Sequence, residues 1–276
     1  MVTEEGVPAA AGAVSEVPRR RASISAVVIC GNEEAGIREC LASVAWCDEI
    51  VVVDSLSTDR TVEIARTFTP RVFERAWPGY VAQKNFAIEQ ATREWVFSLD
   101  ADETCTPELR AAIEKALESP GETVAFRVRR LVHYLGRWIR HCGWYPDWKT
   151  RLVLRGKARW EGEDPHDKLV AGGPVRDLAA DLHHFTYKNF SHQIRTINHF
   201  GDVAVEQTRA RGRRFSYLML VLHPPVKFLE VYVRKLGVLD GLAGFVIAMA
   251  SAFYVFSKHV KLWEAQHRGH LRPPPP

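Results

Sequence analysis

The chain has 276 residues, of which 46% are hydrophobic and 25% are charged, a composition typical of a folded globular protein. This length allows one large domain, or one domain with an extension, and the formal net charge of +4 is too small to indicate nucleic-acid binding. An odd number of cysteines without a C-x-x-C pair favours buried, reduced thiols in a cytoplasmic protein. The cysteines are Cys30, Cys40, Cys47, Cys105 and Cys142.

Both ends of the chain differ in composition from the middle. Residues 1–22 are rich in Ala, Gly, Pro and Glu, and they contain no charged segment ahead of an apolar core, so a secretory signal is not predicted. We predict a disordered tail over 1–22 and a Pro-rich tail over 271–276.

Between residues 24 and 119, four apolar segments of strand length alternate with segments of helical periodicity. The predicted strands are ISAVVIC (24–30), EIVVVD (49–54), RVFERAW (71–77) and WVFSLD (95–100). Helices are predicted at 33–44, 57–68, 81–92 and 106–119. Because apolar strands without polar alternation are buried on both faces, the pattern predicts an α/β fold in which helices flank a mainly parallel sheet.

Two of these helices have recognisable N-terminal capping residues. Ser57 or Thr58 is expected to cap the second helix, with Asp59 in its first turn. Thr106 is expected to cap the fourth helix, with Pro107 at the first helical position.

The pattern is less regular between residues 123 and 182, where strands are predicted at 123–130 and 150–156. The loop between these two strands contains aromatic residues that could stack on sugar rings or pack a small core: Trp138, Trp144, Tyr145 and Trp148. We predict one α/β domain over 23–188 and a helical C-terminal region over 189–270.

Polar side chains follow three of the predicted strands. These residues are Asn32, Glu33 and Glu34 after the first strand, Asp54 and Ser55 after the second, and Asp100 and Asp102 after the fourth. In a parallel sheet, ligands bind beyond the carboxyl ends of the strands, so we expect these side chains to surround one site.

The stretch VFSLDADE places three acids, Asp100, Asp102 and Glu103, at the end of a buried strand. Because like charges repel, the cluster requires a positive partner, and Mg²⁺ or Mn²⁺ bound by carboxylates and phosphate oxygens would supply one. The sequence contains neither a P-loop nor a G-x-G-x-x-G motif after the first strand, so basic side chains must help to hold phosphates. Lys84 and Arg151 are the candidates, although Arg151 could also be a surface charge.

Four segments, in order along the chain, resemble glycosyltransferases of family 2 with a GT-A fold. The segments are ISAVVICGNEEAGIRECLASVAWCDEIVVVDSLSTDRTVEIA, WPGYVAQKNFAIEQA, WVFSLDADE and the late GVLDGLAGF. More narrowly, the chain resembles the lipopolysaccharide core β-1,4-glucosyltransferases of that family. The resemblance implies a GT-A catalytic domain over 23–188 and transfer with inversion at the anomeric carbon.

The resemblance also implies the parts that individual residues play. Asn32 and Glu33 would line the nucleotide pocket, and Asp54 would accept a hydrogen bond from the uracil or the ribose. Lys84 would contact the nucleotide or its diphosphate, Asp100 would face the ribose, and Asp102 would bind the metal. His184 is the preferred candidate for a further metal ligand, with His183 as the alternative, and either could be a packing residue.

An inverting enzyme needs one base to deprotonate the acceptor hydroxyl. The segment EGEDPHDKL offers four acids, Glu161, Glu163, Asp164 and Asp167. Relatives tend to have His followed by Glu in this place, whereas this chain has His166 followed by Asp167, a shorter side chain. We select Asp167 as the base; the alternative is that all four acids are exposed loop residues.

The last third of the chain is strongly apolar, including LGVLDGLAGFVIAMASAFYVF (236–256). Asp240 interrupts this run, and the part after Gly241 is at or below the ~18 residues that indicate a membrane span. We expect helices that lie on the membrane surface, pack against a second subunit, or cover the sheet as a bundle. The basic cluster Arg209, Arg211, Arg213 and Arg214 would suit anionic headgroups, and Gly237, Gly241 and Gly244 would allow close helix contact, including in a homodimer.

The favoured function is metal-dependent transfer of a hexose, glucose being preferred, from a UDP-sugar to a lipopolysaccharide core or another lipid-linked saccharide. The cofactor would be Mn²⁺ or Mg²⁺, and the location the cytoplasmic face of the inner membrane. A sugar-1-phosphate nucleotidyltransferase is one alternative, although such enzymes usually carry a Gly-rich basic loop where this chain has the acidic CGNEEAG. A non-catalytic protein that binds sugar nucleotides or membranes is the other alternative.

Overall fold

The computed structural model describes residues 22–162, 167–187 and 189–267. Apart from Ala22, the two predicted tails lie outside these ranges. Glu163, Asp164 and His166 of the predicted base segment also lie outside the described residues.

The first half of the described chain alternates strands with helices, as the sequence predicts. The elements are β1 (Ile24–Cys30), α1 (Ile37–Ser43), β2 (Glu49–Asp54), α2 (Thr61–Arg66), β3 (Val72–Glu74), α3 (Tyr80–Gln90), β4 (Trp95–Asp100), β5 (Glu103–Cys105) and α4 (Pro107–Glu118). All residues of β1 are buried, consistent with its continuous apolar sequence. The predicted cap of α4 is confirmed, because the Thr106 hydroxyl accepts a hydrogen bond from the backbone N–H of Leu109 at 3.1 Å.

The second half adds further strands and then the C-terminal helices. The strands are β6 (Ala125–Tyr134), β7 (Arg137–Ile139), β8 (Asp147–Leu154), β9 (Ala158–Glu161), β10 (Lys168–Ala171) and β11 (Val175–His184). The helical segments are α5 (Phe190–Ala210), α6 (Tyr217–Leu229), a π-helical turn (Glu230–Arg234), a 3-10 turn (Gly237–Asp240) and α7 (Gly241–His267).

The main sheet has nine strands in the order β3-β2-β1-β4-β8-β6-β11-β5, with β7 paired to β6. The first four of these strands are parallel, whereas β8 is antiparallel to both β4 and β6. The predicted α/β class, with helices around a mainly parallel sheet and an apolar helical extension, is confirmed. The strand order reverses at β1, which lies between β2 and β4, and such a switch point opens a crevice beyond the carboxyl ends of the strands.

Each face of the sheet packs against its own hydrophobic cluster. On one face, the cluster includes Ile37 and Leu41 of α1 and Leu109 and Ile113 of α4. On the other face, Ile88 of α3 joins residues of the separate β9–β10 hairpin. Both faces of the parallel strands are therefore covered, and the strand ends remain as the open edge.

The N-terminus of α2 differs from the prediction. The helix begins at Thr61, and the carboxylate of Asp59 accepts a hydrogen bond from the Thr61 backbone N–H at 3.0 Å. The predicted caps have other partners: Ser57 donates to Asp54, and the Thr58 backbone N–H donates to Asn32. Ser57 and Thr58 therefore hold the β2–α2 loop against the ends of β1 and β2 instead of capping the helix.

Helix α7 packs the C-terminal region against the α/β domain. Its residues Ala243, Ile247 and Ala248 lie in one buried cluster with Tyr134 of β6 and Ile139 of β7. Asp240, which the sequence suggested as an interruption of an apolar run, is 1% exposed. Its carboxylate accepts a hydrogen bond from the backbone N–H of His141 at 2.9 Å, so Asp240 anchors the start of α7 to the loop after β7.

The glycines of GVLDGLAGF allow a close contact within the chain. A Cβ atom added to Gly244 would lie 1.8 Å from the carbonyl oxygen of Gly237, and one added to Gly237 would lie 2.8 Å from the carbonyl oxygen of Val231. The close approach therefore packs the first turn of α7 on the turns that precede it. The suggested homodimer contact stays a prediction.

Within the described part of the chain, one helical stretch, Gly237–His267, is long and apolar enough to cross a membrane by length and composition alone. This stretch is longer than the apolar run suggested, because α7 continues through polar residues to His267. Within its apolar 18-residue segment, 44% is buried inside the protein. A helix with one packed face and one exposed face has this pattern.

We expect Gly244→Ala to lower the free energy of unfolding by about 1–3 kcal/mol, the usual cost of forcing extra volume into a packed contact. The atom in the way is backbone and cannot rotate aside. Urea denaturation followed by circular dichroism measures the change. Gly172→Ala is the matched control, because its new Cβ meets its nearest neighbour at 3.7 Å. Equal stability of the two variants would contradict the packing argument.

Candidate active site

A cavity of about 800 Å³ lies beyond the carboxyl ends of β1 and β4, within the size range of ligand pockets. Of the residues predicted for the site, Asp54 and Glu34 do not line it. Those that do are Asn32, Glu33, Ser55, Lys84, Asp100, Asp102, Arg151, Asp167 and His184. The structure therefore brings together side chains that are far apart in sequence.

Strand register explains this convergence. Cys30 pairs with Asp54 across β1 and β2, and Ile29 pairs with Asp100 across β1 and β4, so the three strands end at the same level. On the far side, β11 pairs with β5, which places His184 opposite Glu103 and beside Asp102. Residues that directly follow these strands therefore face a common crevice.

Arg151 lies at the base of the cavity and is 2% exposed. Its guanidinium donates to Asp100 at 3.0 Å and to Glu103 at 2.5 Å. The ammonium of Lys84, which is 6% exposed, lies 3.1 Å from Asp100 and 2.9 Å from Asp167. Two buried cations thus neutralise Asp100 and Glu103, so the positive partner of these two acids comes from the protein itself.

The network fixes the charges of its members. Burial on its own would raise the pKa of the Asp100 carboxyl, but Lys84 and Arg151 hold that pKa well below its usual range. Burial would lower the pKa of Arg151, and the nearby carboxylates of Glu103 and Asp100 raise it above its ordinary value. Asp100 therefore presents an ionised carboxylate to the cavity across the working pH range.

Asp102, the second carboxylate of the Asp-x-Asp pair, faces His184. Its Oδ2 lies 3.1 Å from Nε2 of His184, which is a hydrogen-bond distance. Two ligands at ~2.1 Å from an octahedral Mg²⁺ ion are about 3.0 Å apart when they occupy adjacent positions. A carboxylate oxygen and an imidazole nitrogen at this spacing fit a divalent cation such as Mn²⁺ or Mg²⁺.

No group of three or more His, Cys, Asp or Glu side chains forms a metal-binding cluster in the described part of the chain. The Asp102–His184 pair would therefore provide two ligands and leave other positions for substrate oxygens and water, as is common for Mg²⁺ in sites that bind phosphates.

Asp54 lies beneath the cavity and is fully buried. Its carboxylate accepts hydrogen bonds from the backbone N–H of Ser57 at 2.7 Å and from the Ser57 hydroxyl at 2.5 Å. It therefore holds the loop after β2 instead of facing the cavity. Ser55, which follows it in sequence, lines the cavity, as its place at the end of the strand predicts.

Sequence reasoning missed the aromatic residues that surround Lys84. The ammonium lies 4.3 Å from the ring centroid of Trp160 and 5.5 Å from that of Tyr80, within range of cation–π attraction. Tyr80 and Lys84 are four residues apart on α3, a spacing that places them on one helix face and could have revealed the pair. Trp160 lies on β9, and nothing in its sequence neighbourhood indicated a contact with α3.

The aromatic loop divides between two environments. Trp148 lines the main cavity. Trp138 instead stacks on His183 with ring centroids 3.9 Å apart, and Trp144 packs near Tyr134. Tyr145 donates a hydrogen bond to Asp181 at 3.0 Å. Both possibilities that the sequence left open therefore have support, since Trp144 packs against a buried cluster and Trp148 faces the cavity.

The fold and the cavity together define a class of protein. A sheet with four parallel strands at its start, an Asp-x-Asp pair at the end of β4, and buried cations at the switch point form the arrangement of a sugar transferase with the GT-A fold. Most of the predicted site residues thus line the crevice at the strand ends, where the fold predicts a ligand site.

Comparison with known proteins supports this class. The protein-family model described as "Glycosyl transferase family 2" matches residues 25–170. The lipopolysaccharide core biosynthesis glycosyltransferase LpsC of Rhizobium meliloti (strain 1021) is 33% identical over 262 residues, 91% of this chain and 95% of that protein. The chain belongs to glycosyltransferase family 2, and the predictions of family and of enzymatic nature are confirmed.

Two further comparisons extend over most of the chain. An uncharacterized glycosyltransferase of Rickettsia typhi is 29% identical over 263 residues, 87% of each chain. The solved structure of the mannosyltransferase PcManGT from Pyrobaculum calidifontis, in complex with GDP-Man and Mn²⁺, covers 90% of this chain and 89% of that chain. The TM-score between the two structures is 0.50 and the sequences are 16% identical, so the similarity is one of fold alone.

We expect Arg151→Met to lower the free energy of unfolding by about 3–5 kcal/mol at pH 7, because Asp100 and Glu103 lose the guanidinium between them and Lys84 contacts only Asp100 of the two. In the wild type, the low pKa of Asp100 stabilises the fold above about pH 4, and this contribution is lost as the pH falls further. In the variant, burial dominates, so proton uptake by the carboxylates should make the deficit smaller at pH 5 than at pH 7.

Urea denaturation at the two pH values measures this difference. Arg155→Met is the matched control, since Arg155 is exposed just beyond the end of the same strand. A deficit that is independent of pH would refute the electrostatic explanation.

Proposed function

We propose that the protein is a metal-dependent, inverting hexosyltransferase. It moves a hexose, with glucose as the first candidate, from a UDP-sugar to a lipopolysaccharide core or another lipid-linked saccharide. The observation that carries the proposal is the Asp102–His184 pair beside the buried Lys84–Asp100–Arg151 network at the strand ends. The similarity to LpsC supports the class of acceptor.

The donor nucleotide is assigned to the part of the cavity nearest β1 and β2. Asn32 and Glu33 line it there, and the Asn32 side chain also accepts the Thr58 backbone N–H at 2.9 Å, which orders the pocket wall. Asp100, held ionised, is suited to accept a hydrogen bond from a ribose hydroxyl. Asp54 contributes indirectly, by holding the loop that carries Ser55.

The diphosphate is assigned to the edge of the cavity at Asp102 and His184. These two residues would hold Mn²⁺ or Mg²⁺, whose charge neutralises a diphosphate as it leaves. A structure of the same fold holds Mn²⁺, which is consistent with this assignment. Arg130 also lines the cavity near this edge, where it pairs with Asp147 at 2.8 Å.

Asp167 is assigned as the base. Its carboxylate lies at the cavity wall, where the ammonium of Lys84 at 2.9 Å holds it in place. In an inverting transfer, the base accepts the proton of the acceptor hydroxyl while that oxygen attacks the anomeric carbon opposite the diphosphate. Lys84, which contacts both Asp100 and Asp167, thereby links the donor side of the cavity to the acceptor side.

The proposed location is the cytoplasmic face of the inner membrane. Helix α6 has no buried residue and exposes large apolar side chains such as Leu218, Val221 and Leu222. The exposed arginines Arg211, Arg213 and Arg214 precede it directly. An exposed apolar face beside basic residues is suited to the surface of an anionic membrane.

A panel of nucleotide sugars with Mn²⁺ or with EDTA tests the proposal. We expect one UDP-hexose with Mn²⁺ to raise the melting temperature and to be hydrolysed slowly to UDP, and EDTA to remove both effects. Release of pyrophosphate would indicate a nucleotidyltransferase instead. Absence of any response to UDP-sugars would overturn the donor assignment and direct attention to other nucleotides.

For the metal ligands, we expect Asp102→Asn and His184→Ala to reduce turnover by at least about 100-fold while the proteins stay folded. Both variants should also lose the Mn²⁺-dependent rise in melting temperature with UDP. Asp177→Asn, which alters an exposed carboxylate on β11, is the control. Wild-type turnover in Asp102→Asn would remove the metal from the proposal.

For the base, we expect Asp167→Asn to reduce the transfer rate by about 10²–10⁴-fold, the usual contribution of a general base. Binding of UDP should change little. Asp167→Glu should keep part of the activity, because it restores the longer acid that relatives carry. Glu161→Gln, at an exposed position on β9, is the control, and loss of activity in that variant alone would reassign the base.

A further inference from the structure

A second cavity of about 460 Å³ lies in the C-terminal region, between α5 and α7. Its walls are mostly apolar. They include Ile197, Phe200 and Ala204 on α5, and Ile247, Ala250 and Tyr254 on α7. The spacing of three and four residues on each helix places these side chains on facing stripes. We refer to this cavity as the α5–α7 groove.

The groove adjoins the active-site cavity. Phe200 lines both of them. A third cavity of about 350 Å³ shares Arg130 and His184 with the active site and shares Trp144 and Tyr187 with the groove. The three cavities therefore lie side by side, from the proposed metal ligand His184 at the polar end to the apolar groove.

This gradient from polar to apolar matches the two ends of an amphiphile. The active-site end carries charged residues that suit a sugar, whereas the groove end presents aliphatic and aromatic carbon. An apolar cavity of about 150 Å³ already takes up benzene, so the larger groove has room for part of a hydrocarbon chain. The helices that form the groove also belong to the region with the exposed apolar surface, including Phe253 and Phe256 on α7.

We propose that the α5–α7 groove binds the hydrocarbon part of the acceptor while the acceptor's sugar reaches the active-site cavity past Phe200. This inference rests on the proposed function, in that the acceptor is a saccharide attached to a lipid. Phe200, at the junction of the two cavities, would pack against the link between sugar and lipid.

Alkyl β-glucosides with six, eight and ten carbons, used below their micellar concentrations, test the groove by isothermal titration calorimetry. We expect the affinity to rise about fourfold for each methylene that the groove buries. Ala204→Phe, which fills the groove from α5, should abolish this dependence on chain length. Ala210→Phe, at the exposed end of the same helix, should leave it unchanged.

Folding of the variants is checked by circular dichroism, and Ala204→Asp, a smaller change that makes the same wall polar, replaces Ala204→Phe if that variant does not fold. If the affinity does not depend on chain length, the proposed hydrocarbon binding is wrong. If the affinity is equal in Ala204→Phe and wild type, the groove is not the binding site, and the binding belongs to the exposed face of α6. Stabilisation by UDP and Mn²⁺, measured in the same samples, reports separately on the donor site and hence on the proposed function.

Discussion

Arg151 holds two carboxylates, Asp100 and Glu103, at the buried end of β4, and the geometry of the active site depends on this interaction. Three acids within four residues would repel one another, and the cost would be highest in a buried position. Because Arg151 and Lys84 neutralise the inner acids, the strand can end with both carboxylates of the Asp-x-Asp pair close together. Asp102 is left to face His184 at the edge of the cavity.

This division of charge explains why the two carboxylates of the pair have different chemistry. Asp100 is bound by protein cations and acts as a fixed anion, whereas Asp102 shares a spacing with His184 that suits a divalent cation. From the sequence alone, a divalent cation is predicted as the positive partner of the whole acidic cluster. The structure shows protein cations for the inner acids, and the proposed metal concerns only the outer one.

Much of the fold could be predicted because it depends on local patterns. Buried strands read as continuous apolar runs, and Thr106 caps α4 as its sequence suggests. The prediction was wrong at α2, where the Thr58 backbone N–H donates to Asn32 in the loop after β1, a partner that the local sequence does not reveal. The anchoring role of Asp240 could not be predicted either, since its carboxylate accepts from the backbone N–H of His141 in a distant part of the chain.

The anchor between Asp240 and His141 joins residues that are 99 positions apart. The cluster around it buries Tyr134, Ile139 and Cys142 of the catalytic domain against α7. During synthesis, these residues leave the ribosome long before α7 does, so they have no packing partner for that interval. The catalytic domain therefore completes its fold only once the last helix has emerged, and a truncated chain that ends before Gly237 would expose an unfinished apolar surface.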